Sequence, residues 1–128
     1  MSGPGLVNIA GALADIQHKA NPFETPADIV AAARGGQDDL ALETLAFFCD
    51  VAGAAAGNLA LTFGAKGGVY LAGGVIPRFA SILQTSGFRS AFEDKGRFRG
   101  YLSGIPCYLI TQEALGLKGA CEYLKLSR

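Results

Sequence analysis

The sequence predicts a helix-rich α/β fold with about two short strands and a long central helix. Three observations predict it. A 25-residue stretch after Asp38 repeats apolar residues every three or four positions, as Leu42, Leu45, Cys49, Ala52, Ala56, Leu59 and Phe63 do, the signature of one buried helical stripe. Two apolar runs, Val69-Tyr70-Leu71-Ala72 and Cys107-Tyr108-Leu109-Ile110, are too short for helices and read as buried strands. Glycine pairs or proline flank both runs, at Gly67-Gly68, Gly73-Gly74 and Ile105-Pro106. The order is helices, strand, helices, strand, helix. A lone pair of strands gives the long helix little sheet and leaves sheet edges open, so completion by further protein or another copy is expected.

The remaining elements follow from local signals. Ser2 before Gly3-Pro4-Gly5 opens a first helix, with Leu6, Ile9, Leu13 and Ile16 inward, ending near Asn21-Pro22. Thr25-Pro26 is an N-cap with proline at the first helical position, launching a short helix that stops at Gly35-Gly36. Gly53 and Gly57, four apart in the long helix, each cost about 1 kcal/mol relative to alanine, so close backbone packing is the reason to keep them. Pro77 starts a helix carrying Phe79, Ile82 and Leu83 inward and stopping near Ser86-Gly87. Short helices anchored by Phe88, Phe92 and Phe98 turn at Gly96. A last helix places Leu115, Ala120, Tyr123 and Leu124 inward.

Composition narrows the function. Half of the 128 residues are hydrophobic and 17% are charged, which allows a core and excludes a solvated disordered tail. Eleven basic and eleven acidic residues cancel, and no basic stripe appears, which argues against nucleic-acid binding. Zero net charge leaves self-association open. Cys49, Cys107 and Cys121 are odd in number and widely spaced among apolar neighbours, so buried reduced thiols are expected rather than disulfides or a zinc knuckle. The amino terminus lacks a basic cluster before an apolar core, and the apolar stretch from Leu40 to Ala65 is interrupted by Glu43, Asp50 and Asn58. A spanning helix needs about 20 predominantly apolar residues, so a cytoplasmic chain without a membrane segment is expected.

One segment carries binding chemistry. A strand followed by Gly73-Gly74 and a helix start at Pro77 lets the backbone bend and lets a ligand approach with no Cβ in the way. Taken alone it is weak. It has neither the dinucleotide GxGxxG spacing nor a P-loop ending, and a structural tight turn explains it as well or better. Asp38-Asp39 reads as a pair of helix caps, and His18 as a solvated histidine without a second ligand. Lys95 and Arg97 read either as phosphate-facing or as an ion-paired loop with Glu93 and Asp94. No catalytic and no metal-binding residue is assigned.

The surrounding string Gly67-Gly68-Val69-Tyr70-Leu71-Ala72-Gly73-Gly74-Val75-Ile76-Pro77-Arg78-Phe79 closely resembles the adenosine motif of bacterial glucokinases. Ser86 to Phe98, Ser2 to Asn8, Gly57 to Leu61 and Ile105-Pro106 before a Tyr-Leu-Ile strand resemble the same proteobacterial-type family, in its own order. The resemblance implies a ribonuclease-H-like, actin-like ATPase fold, with this chain, 1–128, as an incomplete carboxy-terminal part of the large domain. It implies ATP-dependent phosphorylation of glucose to glucose 6-phosphate, with ATP as its Mg2+ complex. In the family the catalytic aspartate, the sugar motif and both phosphate motifs precede the Ser-Gly-Pro-Gly string, so the chain alone is expected to be inactive. A non-catalytic nucleotide-binding or interaction module is the alternative. Gly73, Gly74 and Val75 would lie beside the adenosine, with Ser2, Gly3, Pro4 and Gly5 as the opposite wall. A homodimer, or a complementing amino-terminal portion, is the expected protein partner.

Overall fold

The computed structural model describes residues 2–112 and 114–126. Helix α1 (Gly3–Ile16) starts where Ser2 Oγ accepts from the Gly5 amide, with Pro4 in the first turn, where the missing amide proton costs nothing. Helix α2 (Pro26–Arg34) starts on a full capping box. Thr25 Oγ1 accepts from the Asp28 amide and Asp28 Oδ2 accepts from the Thr25 amide, so two helix-end donors are satisfied reciprocally. These bonds to the carboxylate hold Asp28 below the usual carboxylate range, the Thr25 side chain being the largest cause. Helix α3 (Asp39–Phe63) begins with Asp38 Oδ1 accepting from the Ala41 amide at 2.9 Å, the capping role expected of this acidic pair.

Helix α3 is the centre of the molecule. Helices α1 and α2 pack on it, as do α4 (Ala80–Thr85), α5 (Phe88–Glu93) and α6 (Arg99–Ser103). Leu6 of α1, Ile29 of α2, Leu45 and Cys49 of α3, Phe92 of α5 and Leu102 of α6 are all fully buried in one core. Each large apolar side chain removed from water in this way contributes roughly 2 kcal/mol. The glycines explain the closest approach. A Cβ on Gly53 would lie 2.9 Å from the Phe88 carbonyl carbon and closer to its oxygen, and one on Gly57 would lie 3.1 Å from the Phe92 carbonyl carbon. Helix α5 therefore rests backbone-on-backbone against α3, and only glycine permits it.

The inward face of α3 differs from the expected one at its end. Leu45, Cys49, Ala52 and Ala56 are buried as the periodicity predicts, but Leu59 and Phe63 are exposed, and Phe48 and Ala60 are buried instead. Helix α5 determines this, because it docks on the glycine face rather than along the face of bulky residues. Ile16, at the last position of α1, is likewise exposed, since its helix has run past the edge of α3.

Strands β1 (Val69–Leu71) and β2 (Cys107–Leu109) pair in parallel, with Val69 opposite Cys107 and Leu71 opposite Leu109. Val69, Leu71, Cys107 and Leu109 are half-buried on the inner face. Tyr70 and Tyr108 stack on the outer face with ring centroids 5.0 Å apart. The segment after β1 is a 3-10 turn, Ile76–Phe79, continued by α4. Phe79 enters the core and meets Phe48 edge-on at 6.0 Å. A second 3-10 turn, Gly96–Phe98, leads into α6, and Phe98 is an exposed residue rather than a core anchor. Helix α7 (Leu115–Leu126) has no buried residue, so the inward placement of Ala120, Tyr123 and Leu124 is not found within this chain. By length and composition α3 is apolar enough to cross a membrane, yet 56% of that stretch is buried in the chain's own core.

Arg89 joins the second half together. Its guanidinium donates to the carbonyls of Ile105 at 2.7 Å, Ser103 at 2.8 Å and Leu102 at 3.2 Å, and its Nε pairs with Glu93. It also lies over the Phe92 ring, 5.1 Å from the centroid. The fork of five donors suits this task, because the last carbonyls of α6 have no helical partner of their own. Glu93 is thus paired with Arg89, not with Lys95 or Arg97. The Lys95 stem lies against Gly57, and Arg97 sits over Phe98.

Candidate functional site

Parallel pairing brings the carboxyl ends of β1 and β2 to the same side, and the largest cleft opens there. It has a volume of about 700 Å³. Gly73, Gly74, Pro77 and Arg78 form one wall, after β1, and the segment following β2, with Thr111, Gln112 and Leu115, forms the other. Crevices outside the carboxyl ends of parallel strands are where open α/β sheets hold ligands, since both loops diverge there and their backbone groups stay unpaired.

The two glycines have different reasons to be glycine. Gly73 has φ +135°, a conformation strained for any L side chain. Gly74 has no such constraint, and a Cβ on it would meet nothing within 4 Å. Neither packing nor backbone conformation in this chain accounts for Gly74; clearance for something entering the cleft does. Val75 is half-buried and packs on the core side, which anchors the turn. The Arg34 guanidinium, at the end of α2, donates to the Arg78 carbonyl and ties the turn to the first helical pair.

Ser2, Gly3, Pro4 and Gly5 lie elsewhere. They form the start of α1, where Gly3 packs against Pro26, a Cβ on it lying 3.0 Å from Pro26 Cγ. The structure thus brings Gly73 and Gly74 together with Thr111 and Gln112, and does not bring the Ser2–Gly5 turn into that cleft lining. Thr111 and Gln112 had no individual signal in the sequence. The available clue was topological: a second strand running parallel to the first must end beside it.

The cleft suits an anion better than a metal ion. Among its described lining residues Arg78 is the only charged one. Among the described residues no three His, Cys, Asp or Glu side chains gather as metal ligands. The groups present therefore do not fit Mg2+, and this cleft assigns it no ligand. His18 is an exposed residue at φ +53°, as expected of a solvated histidine.

A smaller cavity of about 280 Å³ lies under the inner face of the strands, beside Leu71, Leu83, Phe88, Arg89 and Cys107. Burial pushes the Cys107 thiol up, against the opposing pull of Arg89 3.5 Å away. Cys49 is fully buried and its thiol is also pushed up by burial. Cys121 is exposed, unlike the buried thiol expected, because α7 buries nothing in this chain. All three are free thiols.

Comparison with known proteins agrees with this geometry. A family model described as glucokinase matches residues 1–127. The glucokinase of Pectobacterium atrosepticum is 48% identical over 125 residues, covering 98% of this chain and 39% of that protein. The glucokinase of Psychromonas ingrahamii is 47% identical over 127 residues, covering 99% and 40%. The crystal structure of a glucokinase from an Antarctic psychrotroph superposes with a TM-score of 0.84 at 38% identity, over 94% of this chain and 37% of that one. The chain spans about two fifths of the length of the curated relatives it matches. A match along nearly the whole chain, in sequence and in fold, shows that it belongs to the glucokinase family.

Proposed function

We propose that this chain supplies the adenosine side of the nucleotide cleft of an ATP-dependent glucokinase, and that alone it transfers no phosphoryl group to glucose. The observation that carries the reading is Gly74: an open position, unexplained by the chain's own packing, at the mouth of the cleft beyond β1 and β2. The adenosine would lie against Gly73, Gly74 and Val75, with Thr111 and Gln112 across from it as hydrogen-bonding groups. Arg78 offers a positive charge toward the phosphate end. Ser2, Gly3, Pro4 and Gly5 serve this cleft only as a more distant wall, through the packing of α1 and α2. The chain acts as part of the large domain, in the cytoplasm, where ATP and glucose meet.

Phosphoryl transfer to a sugar hydroxyl requires a carboxylate base at that hydroxyl and donors around the moving phosphoryl group. The described cleft lining contains neither a carboxylate nor a histidine. MgATP and glucose are therefore substrates of the assembled enzyme, and the contribution of this chain is binding and orientation.

Titration with ATP, ADP and adenosine, read by ligand-observed NMR on the full chain, tests the reading. All three bind with similar affinity, because recognition is by the nucleoside, and Gly74→Val weakens each at least tenfold. Triphosphate bound without adenosine, or Gly74→Val binding as the wild type does, refutes it. A coupled assay for glucose 6-phosphate shows no turnover by the chain alone; measurable turnover refutes the second half of the proposal.

A further inference from the structure

Two exposed features meet at the start of β1. The first is the sheet edge. The Val69 amide donates to the Pro106 carbonyl and the Leu71 carbonyl accepts from the Ile110 amide, both at 2.9 Å, so Val69 and Leu71 face β2. In a parallel ladder alternate residues face opposite edges, so the backbone groups of Tyr70 point to the other side of β1. No further strand occurs there among the described residues. The second is a ridge on α3. Phe47, Val51, Leu59 and Phe63 recur at multiples of four residues and are 51%, 41%, 56% and 77% exposed. The ridge runs roughly 24 Å. It ends at Phe63, from which the turn 64–68 leads directly into β1.

We infer that the ridge and the open edge of β1 form one docking surface, and that its occupant is a strand-bearing polypeptide: the part of a glucokinase outside the match with this chain. The inference rests on the family membership and deepens the proposed function. Parallel sheets are ordinarily covered on both faces and extended beyond two strands. The relatives carry this fold within a much longer chain, and a solved glucokinase keeps it at a TM-score of 0.84 while 63% of that chain lies outside the match (100 less the 37% covered). A second copy seated ridge-to-ridge would cover α3 but leave the Tyr70 backbone groups unpaired. A strand-bearing partner satisfies both.

The test co-expresses the full chain with the remainder of the Pectobacterium atrosepticum glucokinase, and reads the complex by size-exclusion chromatography with light scattering. A one-to-one complex forms. Val51→Glu with Leu59→Glu weakens it at least tenfold, while Ala31→Glu, on the exposed face of α2, leaves it unchanged. Thermal melts of the variants check folding. If the double variant melts early, Phe63→Glu alone, at the most exposed position of the ridge, is read instead and weakens the complex. No complex with the wild type, a complex indifferent to the ridge variants, or a homodimer dissolved by those variants each overturns the inference. The nucleotide titration on the chain alone is read separately, so loss of nucleotide binding with an intact complex rejects the nucleotide reading and leaves the docking surface standing.

Discussion

Replacing Gly53 by alanine adds one methyl group where α5 crosses α3. The new Cβ would lie 2.9 Å from the Phe88 carbonyl carbon, 3.1 Å from its Cα, and nearer still to its oxygen. All three atoms are backbone, so no rotamer change relieves the overlap. Helix α5 must move outward, by on the order of 1 Å, to restore ordinary contact. That displacement draws Phe88 and Phe92, 6% and 0% exposed, away from the core. Overpacking of this kind costs about 1–3 kcal/mol, and the better helix propensity of alanine offsets about 1 kcal/mol. We expect a net loss of about 1–2 kcal/mol, equivalent to a midpoint lowered by about 5 °C for a chain of this size. Urea titration followed by circular dichroism, with calorimetry for the midpoint, measures it. Gly119→Ala is the control: it lies within α7, and its Cβ would meet nothing within 4 Å. The same substitution there leaves the midpoint at or above the wild type. Gly53→Ala at wild-type stability or above would refute the close-packing argument for α3 and α5.

Arg89→Lys keeps the charge but loses the planar fork that reaches three carbonyls, and is expected to cost about 2 kcal/mol in urea titration, most of it from the unpaired carbonyls rather than the partly solvated Glu93 pair. A loss below about 0.5 kcal/mol would show that water replaces those bonds. The Asp28 carboxyl is held low in the folded chain, so its contribution to the α2 cap is present above the ordinary carboxylate pKa and fades as pH falls through the folded value. Thr25→Ala lowers stability by about 1 kcal/mol at pH 7 and flattens this acid dependence; an unchanged pH profile would contradict the capping box. In the native chain a disulfide exchange reagent modifies Cys121 quickly, Cys107 slowly and Cys49 only on unfolding, because burial holds the latter two thiols protonated. Rapid modification of Cys49 would indicate that the α3 core opens readily.

Much of the local structure was legible because its signals are short in range. Thr25-Pro26, Asp38 and Ser2 start their helices through bonds that span three residues, so the sequence alone places them. The β1 strand and its glycine turn were legible for the same reason, and the spacing of Gly53 and Gly57 announced a close neighbour without naming it. Leu59 and Phe63 were misplaced because a period of 3.6 residues identifies an apolar face but not which face a neighbour takes. Arg89 passed unnoticed, since its carbonyl partners lie 13 to 16 residues away and have no side-chain signature.

By itself, then, the sequence determined the helix starts, the two strands, the glycine turn and the family resemblance, all of which reside in neighbouring residues or ordered strings. Only the tertiary structure decided that α5 rests on the glycine face of α3, that Arg89 clasps the end of α6, and that Gly74 shares a cleft with Thr111 and Gln112 while Ser2–Gly5 stands apart. Those outcomes depend on which surfaces meet, and that choice is made by steric fit and hydrogen-bond satisfaction between segments far apart in the chain.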